Sequence, residues 1–214
     1  PIGLRYPGRG VEVNSSRRLV VDIQVLQSDA RDRGMGRYTI CFLQELIDLS
    51  GYERVDLIVN KNYPFDEDLK EEFKRKFAGA EIIELNLRTT QKHSLESAEA
   101  HNLAELNDYF KTYEDGDVDF LVPCGFQEPF VAVFPLVTRN ILLFYDLIPY
   151  LYSRQYERVM KYENYLKRFK LIMQADGIAT ISKGGADDLH IYLGIPKEKI
   201  FCIDGAPVRT DHKT

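Results

Sequence analysis

The sequence predicts an α/β protein: a doubly wound, mainly parallel sheet with helices on both faces. Three observations carry that prediction. Short β-branched runs alternate almost throughout with amphipathic helical stretches, and parallel strands joined by right-handed crossovers are what such alternation builds. The first run, "RLVVDIQVL" at 18–26, is apolar on both faces except at Asp22 and Gln24, as expected of a strand covered on both sides. With 214 residues, 44% of them hydrophobic, the chain is long enough for one sizeable core.

The elements follow in order. Residues 1–17 carry Gly, Pro, Ser and Arg without a period and form a lead-in, and the folded domain spans 18–205. Behind the first strand, a loop leads to Gly34. From Tyr38 onward Ile40, Leu43, Leu46 and Ile47 recur at helical spacing, so a first helix runs to Ser50-Gly51. Then come the strand "RVDLIVN", the helix "DEDLKEEFKRKF", the strand "AEIIEL", the helix "LESAEAHNLAELNDYFKTY" and the strand "DVDFLVP". The last third holds the strand "RNILLFYD", a long helical run "SRQYERVMKYENYLKRFKLIMQ", the strand "GIATIS", the helix "GGADDLHIYLG" and the strand "EKIFCID".

Composition narrows the function. A net charge of −5 supplies no general attraction for nucleic acid or anionic lipid. The three cysteines, Cys41, Cys124 and Cys202, are far apart and without C-x-x-C spacing, which argues against a disulfide framework or a zinc site. His93, His101, His190 and His212 show no metal spacing either. Isolated thiols fit a reducing cytoplasm, and no apolar run reaches membrane-spanning length, so a soluble or peripheral, cytoplasmic protein is expected.

In a doubly wound sheet, ligands bind beyond the carboxyl ends of the strands. Three such turns stand out: Gly34-Met35-Gly36-Arg37-Tyr38, Tyr145-Asp146 followed by Pro149 and Tyr150, and Ser182-Lys183-Gly184-Gly185. The paired glycines would let a ligand approach the backbone, and the start of a helix favours an anion. This is no dinucleotide fingerprint, since Thr39 stands where the third glycine belongs, and no Walker lysine follows. An ordinary tight turn is the alternative for the glycines. For Asp146 it is an Asx-type turn before Pro149, and for Ser182 it is helix capping. Between Tyr150 and Lys170, five tyrosines mix with a basic excess. Such a segment is either an amphipathic surface helix whose tyrosines cover the sheet or a surface for membrane or an anionic, sugar-bearing ligand.

The three turns together resemble the N-terminal half of the group 1 retaining glycosyltransferases of the GT-B fold, especially bacterial mannosyl- and rhamnosyl-transfer enzymes of polysaccharide synthesis. The stretches that carry the resemblance are "VVDIQVLQSDARDRGMGRYTICFLQEL", "LFYDLIPYLY" and "ADGIATISKGGADDLHIYLGIPKEKI". The resemblance implies a Rossmann-like, acceptor-binding domain facing a second, donor-binding domain, with residues 206–214 as the start of the linker between them. It implies a nucleotide-sugar donor and a glycan or lipid-linked acceptor, with no metal, no nucleic acid, and room for peripheral contact at the inner membrane face. Gly34, Met35, Gly36, Arg37 and Tyr38 would reach the donor's diphosphate and sugar. Tyr145 and Asp146 would stand at the chemistry, with Pro149, Tyr150, Ser182 and Lys183 on the acceptor side of the cleft. Tyr145 replaces the family's usual His, and tyrosine cannot carry that residue's positive charge. Without its donor half, the fragment is expected to be inactive; a non-catalytic glycan- or nucleotide-binding module is the alternative.

Overall fold

Seven apolar runs become seven strands of one sheet: β1 (Arg18–Asp22), β2 (Arg54–Asn60), β3 (Ala80–Leu85), β4 (Val118–Val122), β5 (Arg139–Phe144), β6 (Gly177–Thr180) and β7 (Ile200–Cys202). The computed structural model describes residues 17–203 other than 50, 112, 114–117, 159 and 160. Most of the lead-in, the linker at 206–214 and His212 therefore lie outside the described residues. The strand order is β3-β2-β1-β4-β5-β6-β7, and every neighbouring pair is parallel. The chain steps outward from β1 to β3, then returns to the other side of β1 as β4, so the direction of winding reverses between β1 and β4.

Alternation within the strands divides the core in two. Leu19, Val21, Leu57 and Val59 pack on one face with Leu43 of helix α1 (Gly34–Leu49) and Phe73 of α2 (Glu67–Lys76). Val20, Ile58, Phe120 and Leu142 pack on the other with Leu106 and Phe110 of α3 (Leu95–Phe110). Neighbours that point to opposite faces and are both buried are why β1, β4 and β6 read as continuous apolar runs.

Three boundaries differ from the sequence expectation. The first strand stops at Asp22 rather than Leu26, because the Asp22 carboxylate accepts the Gln24 N–H at 3.1 Å and bends the chain into a short 3₁₀ turn, Gln24–Gln27. A second, Asp29–Asp32, follows, with Ser28 capping it. The first helix starts at Gly34, not Tyr38, so both glycines lie inside its first turn; among the described residues the positive-φ glycines are Gly51, Gly79 and Gly194.

The long run at 153–174 is not one helix. The chain between β5 and β6 forms α4 (Ile148–Leu151), α5 (Ser153–Tyr156), α6 (Tyr162–Lys167) and α7 (Phe169–Gln174). The break at Arg168 lets Tyr165 and Phe169 both pack around Phe126, with ring centroids 5.4 and 5.9 Å from it, while Leu171 and Ile172 enter the core beneath the sheet. Of the five tyrosines in this segment only Tyr165 is buried; Tyr150 and Tyr152 are exposed. The covering role expected of them falls to a single ring. The last helix, α8 (Lys183–Leu193), starts at the Ser182 cap and ends at left-handed Gly194.

Candidate functional site

Because every strand runs the same way, all seven end along one edge, and the reversal between β1 and β4 opens a crevice there. The residues that meet at this point come from four places. Asp22 ends β1, Cys124 follows β4, Tyr145 follows β5, and Thr39 projects from the second turn of α1. Thr39 Oγ1 lies 2.7 Å from the Tyr145 hydroxyl and 3.6 Å from Cys124 Sγ. The Tyr145 hydroxyl donates to the Met35 carbonyl at 3.1 Å, and the Tyr38 ring meets the Tyr145 ring edge-on at 6.0 Å.

Tyr145 also touches the third turn. A Cβ on Gly185 would stand 3.2 Å from the Tyr145 carbonyl oxygen, so the absent side chain lets α8 abut the end of β5. The hydroxyl of Tyr145 thus holds the first turn and its carbonyl backs the third. Three turns, the first more than a hundred residues from the other two, come together at one residue.

The two glycines of the first turn do different things. A Cβ on Gly36 would lie 2.3 Å from the Ala30 carbonyl oxygen and 2.3 Å from Arg31 Cα; the missing side chain is filled by the protein's own 3₁₀ turn. Gly34 has nothing within 4 Å of the corresponding point, and it is exposed. Arg37 is exposed beside it. The remaining predicted residues take local structural bonds. Asp146 Oδ1 accepts the Ile148 N–H at 2.9 Å, Ser182 Oγ accepts the Gly185 N–H at 3.1 Å, and Lys183 pairs with Asp187 at 2.6 Å. Tyr150 leans on Phe169 at 5.3 Å, next to the partly buried Pro149.

The electrostatics of the cluster follow from burial. Asp22 is 8% exposed, and desolvation raises its carboxyl from 3.8 to about 6, although the Gln24 backbone and side-chain amides both donate to it and pull the other way. The same desolvation pushes the Cys124 thiol up to about 12, so it is a neutral, unreactive group at pH 7. Burial, then the neighbouring Cys124, holds the Tyr145 phenol above its ordinary value; it acts as a neutral hydrogen-bond donor and not as a base. Among the described residues no three His, Cys, Asp or Glu lie together as a metal site, and no helix is long and apolar enough to cross a membrane.

Asp22, Thr39 and Cys124 were not singled out from the sequence. The signal for Asp22 was visible as the polar interruption of a buried strand, and Cys124 follows a strand as Tyr145 does. Thr39 carried none.

No protein-family model matches the chain. Over 198 residues, 88% of its length, it is 22% identical to the serotype-specific mannosyltransferase WbdA of Escherichia coli, and it spans 24% of that protein. Among solved structures it is similar to Phytolacca americana UGT2 complexed with UDP-2fluoro-glucose and pterostilbene, with TM-score 0.53 and 10% identity, covering 92% of this chain and 54% of that one. TcCGT1 in complex with UDP gives TM-score 0.54 and 10% identity over 91% of this chain and 51% of that one. A Polygonum tinctorium UDP-glucosyltransferase capable of glucosylating indoxyl gives TM-score 0.51 and 11% identity over 90% and 52%. The chain therefore spans about a quarter of the curated relative and about half of the solved enzymes. Sequence and fold agree: over most of its length this chain is similar to one segment of a mannosyltransferase, and it has the Rossmann-like half-fold seen in solved GT-B glycosyltransferases.

Proposed function

We propose that the chain is the acceptor-binding domain of a glycosyltransferase that moves a hexose, of mannose or rhamnose type, from a nucleotide sugar to a glycan or lipid-linked saccharide with retention. The observation that carries this reading is the 198-residue match to a mannosyltransferase. The crevice at the winding reversal is its physical counterpart. In this reading the donor's diphosphate sits against the first turn of α1, whose leading N–H groups lack intrahelical acceptors and whose Gly34 side is open. Those dipoles and the exposed Arg37 stabilise the charge that develops on the leaving diphosphate, with no metal required. Tyr145 holds the turn at the height of the reacting sugar, and Asp146 stands beside it at the strand end. Pro149, Tyr150, Ser182 and Lys183 flank the acceptor. The donor's base is gripped by a second domain, so the fragment alone does not turn over.

A second reading, a non-catalytic glycan- or nucleotide-binding module, draws on one observation: the Tyr145 hydroxyl is already engaged by Thr39 and Met35. The deciding experiment assays the longest natural chain that contains this sequence, and the 214-residue chain beside it, with labelled GDP-mannose, UDP-glucose and dTDP-rhamnose and a lipid-linked saccharide. Transfer by the longer chain alone, with the anomeric configuration kept in the product, is the expected result. A longer chain that binds glycan or nucleotide without consuming any of the three donors would establish the binding module instead.

A further inference from the structure

A second concavity opens on the same edge of the sheet, beyond β2 and β3. It has a volume of about 640 Å³, within the range of small-molecule sites, about 300–1,000 Å³. Its walls come from the residues after β2, the loop after β3 and His101 of α3. Two properties set it apart from an accidental dent.

The first is that its walls are fixed from behind. Asn62 Nδ2 donates to Asn86 Oδ1 at 2.7 Å and to the Leu87 carbonyl at 2.9 Å, tying the two loops together. Asn102, 1% exposed, accepts the Arg88 N–H at 2.7 Å and donates to the Arg88 carbonyl at 3.1 Å. The Thr90 N–H reaches the Pro129 carbonyl at 2.9 Å. His101 Nε2 lies 2.7 Å from the Asn86 carbonyl, and an acceptor there fixes the proton on Nε2. The Tyr63 ring is braced edge-on by Phe130 at 4.8 Å, and Phe130 in turn lines the crevice beside Asp22 and Cys124.

The second property is charge. Arg88, Lys92, His93 and His101 line the cavity, and no aspartate or glutamate does. In a chain of net charge −5 half of the described lysines and arginines pair with a carboxylate, and Arg88 and Lys92 are in the half that form no ion pair among the described residues. The acids near the start of α3 are occupied elsewhere: Glu96 pairs with Lys167 at 2.8 Å and Glu99 with Lys170 at 2.5 Å. What remains is a positive bowl floored by amides and one braced aromatic ring.

We propose that this cavity binds a saccharide bearing a phosphate or a carboxylate, its hydroxyls met by the amides of Asn62, Asn86 and Gln91 and its anionic group by Arg88 and Lys92. Both Asn62 Nδ2 hydrogens are taken by Asn86 and Leu87, so Asn62 meets a hydroxyl only as an acceptor, through Oδ1, while the Asn86 and Gln91 amides can donate; Tyr63 offers a flat apolar surface for a sugar face. Arginine and lysine together hold an anion at two points. That this saccharide is the acceptor rests on the reading above; that the cavity takes it does not, so the test is one of binding.

The 214-residue chain is titrated by calorimetry with mannose 6-phosphate, glucuronate, mannose and inorganic phosphate, at low and at physiological salt. At least one of the two anionic sugars is expected to bind about ten-fold or more tighter than mannose and than phosphate, and to weaken as salt rises. Preference for mannose 6-phosphate identifies a phosphate ligand, and preference for glucuronate a carboxylate. Arg88→Gln and Lys92→Glu should each lose about ten-fold or more of that affinity. Lys92 is exposed, so its replacement leaves the fold intact whatever the arginine variant does. Mannose binding as tightly as either anionic sugar, phosphate binding as tightly as the sugar phosphate, no binding by any probe, or affinities untouched by Lys92→Glu would each overturn the proposal. A longer chain that fails to transfer sugar would leave these affinities where they are.

Discussion

Replacing Asp22 by asparagine isolates the cost of placing a carboxylate at the buried end of β1. In the folded chain desolvation raises this group from 3.8 to about 6, whereas in the unfolded chain it titrates at its ordinary value. Below pH 3.8 it is protonated in both states and contributes nothing to the pH dependence. Between that value and about 6 the folded state holds a proton that the unfolded state has lost, so stability falls as pH rises through this window. Above about 6 the penalty is complete, and from the ordinary and raised values it is worth about 3 kcal/mol. Asparagine cannot ionise. It also forfeits one of the two oxygens that accept from the Gln24 side chain, at 3.1 and 3.0 Å, but that loss does not vary with pH and cancels from the comparison. Urea unfolding followed by circular dichroism at a series of pH values measures both proteins, since the chain has no tryptophan to report by fluorescence. The stability of Asp22→Asn minus that of the parent should climb by about 2–2.5 kcal/mol between pH 4 and 7. A difference that stays flat over that range would refute the reasoning, and would mean that water reaches the carboxylate in the folded state.

The other predictions concern the first turn and the thiols. Gly36→Ala should destabilise the fold by about 1–3 kcal/mol, because its new methyl meets backbone atoms of Ala30 and Arg31 that cannot rotate away; Gly34→Ala, with open space around it, should be neutral or slightly stabilising in the same unfolding assay. In a transfer assay of the longer chain the order should reverse in meaning: activity lost in Gly34→Ala at unchanged stability marks the ligand's approach, whereas full activity marks the turn as structural. Tyr145→Phe removes the bond to the Met35 carbonyl and leaves the buried Thr39 hydroxyl with only Cys124, so a loss of about 1–2 kcal/mol is expected by chemical unfolding. Under native conditions a thiol reagent should label exposed Cys202 quickly and Cys124 only as the protein unfolds, which mass spectrometry of the labelled peptides would show.

The strands and the helices between most of them were legible because the central strands are buried on both faces, the edge strands β3 and β7 keep short β-branched or apolar runs, and the helical segments keep their period. What escaped was local. The end of β1 is set by one hydrogen bond, from the Gln24 N–H to Asp22, in a stretch whose apolar residues resume after each polar one as far as Leu26. The break in the 153–174 run is set by tertiary packing: Tyr165 and Phe169 are four residues apart and would share a face of any helix, but only the turn at Arg168 seats both on Phe126 while Leu171 and Ile172 reach the core. At the site, the three turns were found because strand ends must converge. The partner that Gly36 accommodates could not be read, since a glycine that admits a ligand and one that admits its own backbone look the same in sequence.

The buried acids of the sheet show which edge is built for stability. At the amino end, Asp56 is held by Arg54 at 2.8 Å and by the Tyr109 hydroxyl at 2.6 Å, and Asp119 by Arg139, Arg17 and the Tyr52 hydroxyl. Each is a carboxylate neutralised by at least one guanidinium, the arrangement that removes most of the cost of burial. At the carboxyl end Asp22 has no cation among the described residues; it has only the Gln24 amides, and Gln24 is itself oriented by Asn60. Stability alone would favour a leucine or an arginine partner at that point. Proteins keep such unfavourable groups where a ligand's chemistry needs them, and here the uncompensated acid sits at the winding reversal, beside the turn that Tyr145 clamps. The edge that carries the electrostatic penalty is the one on which a ligand would act.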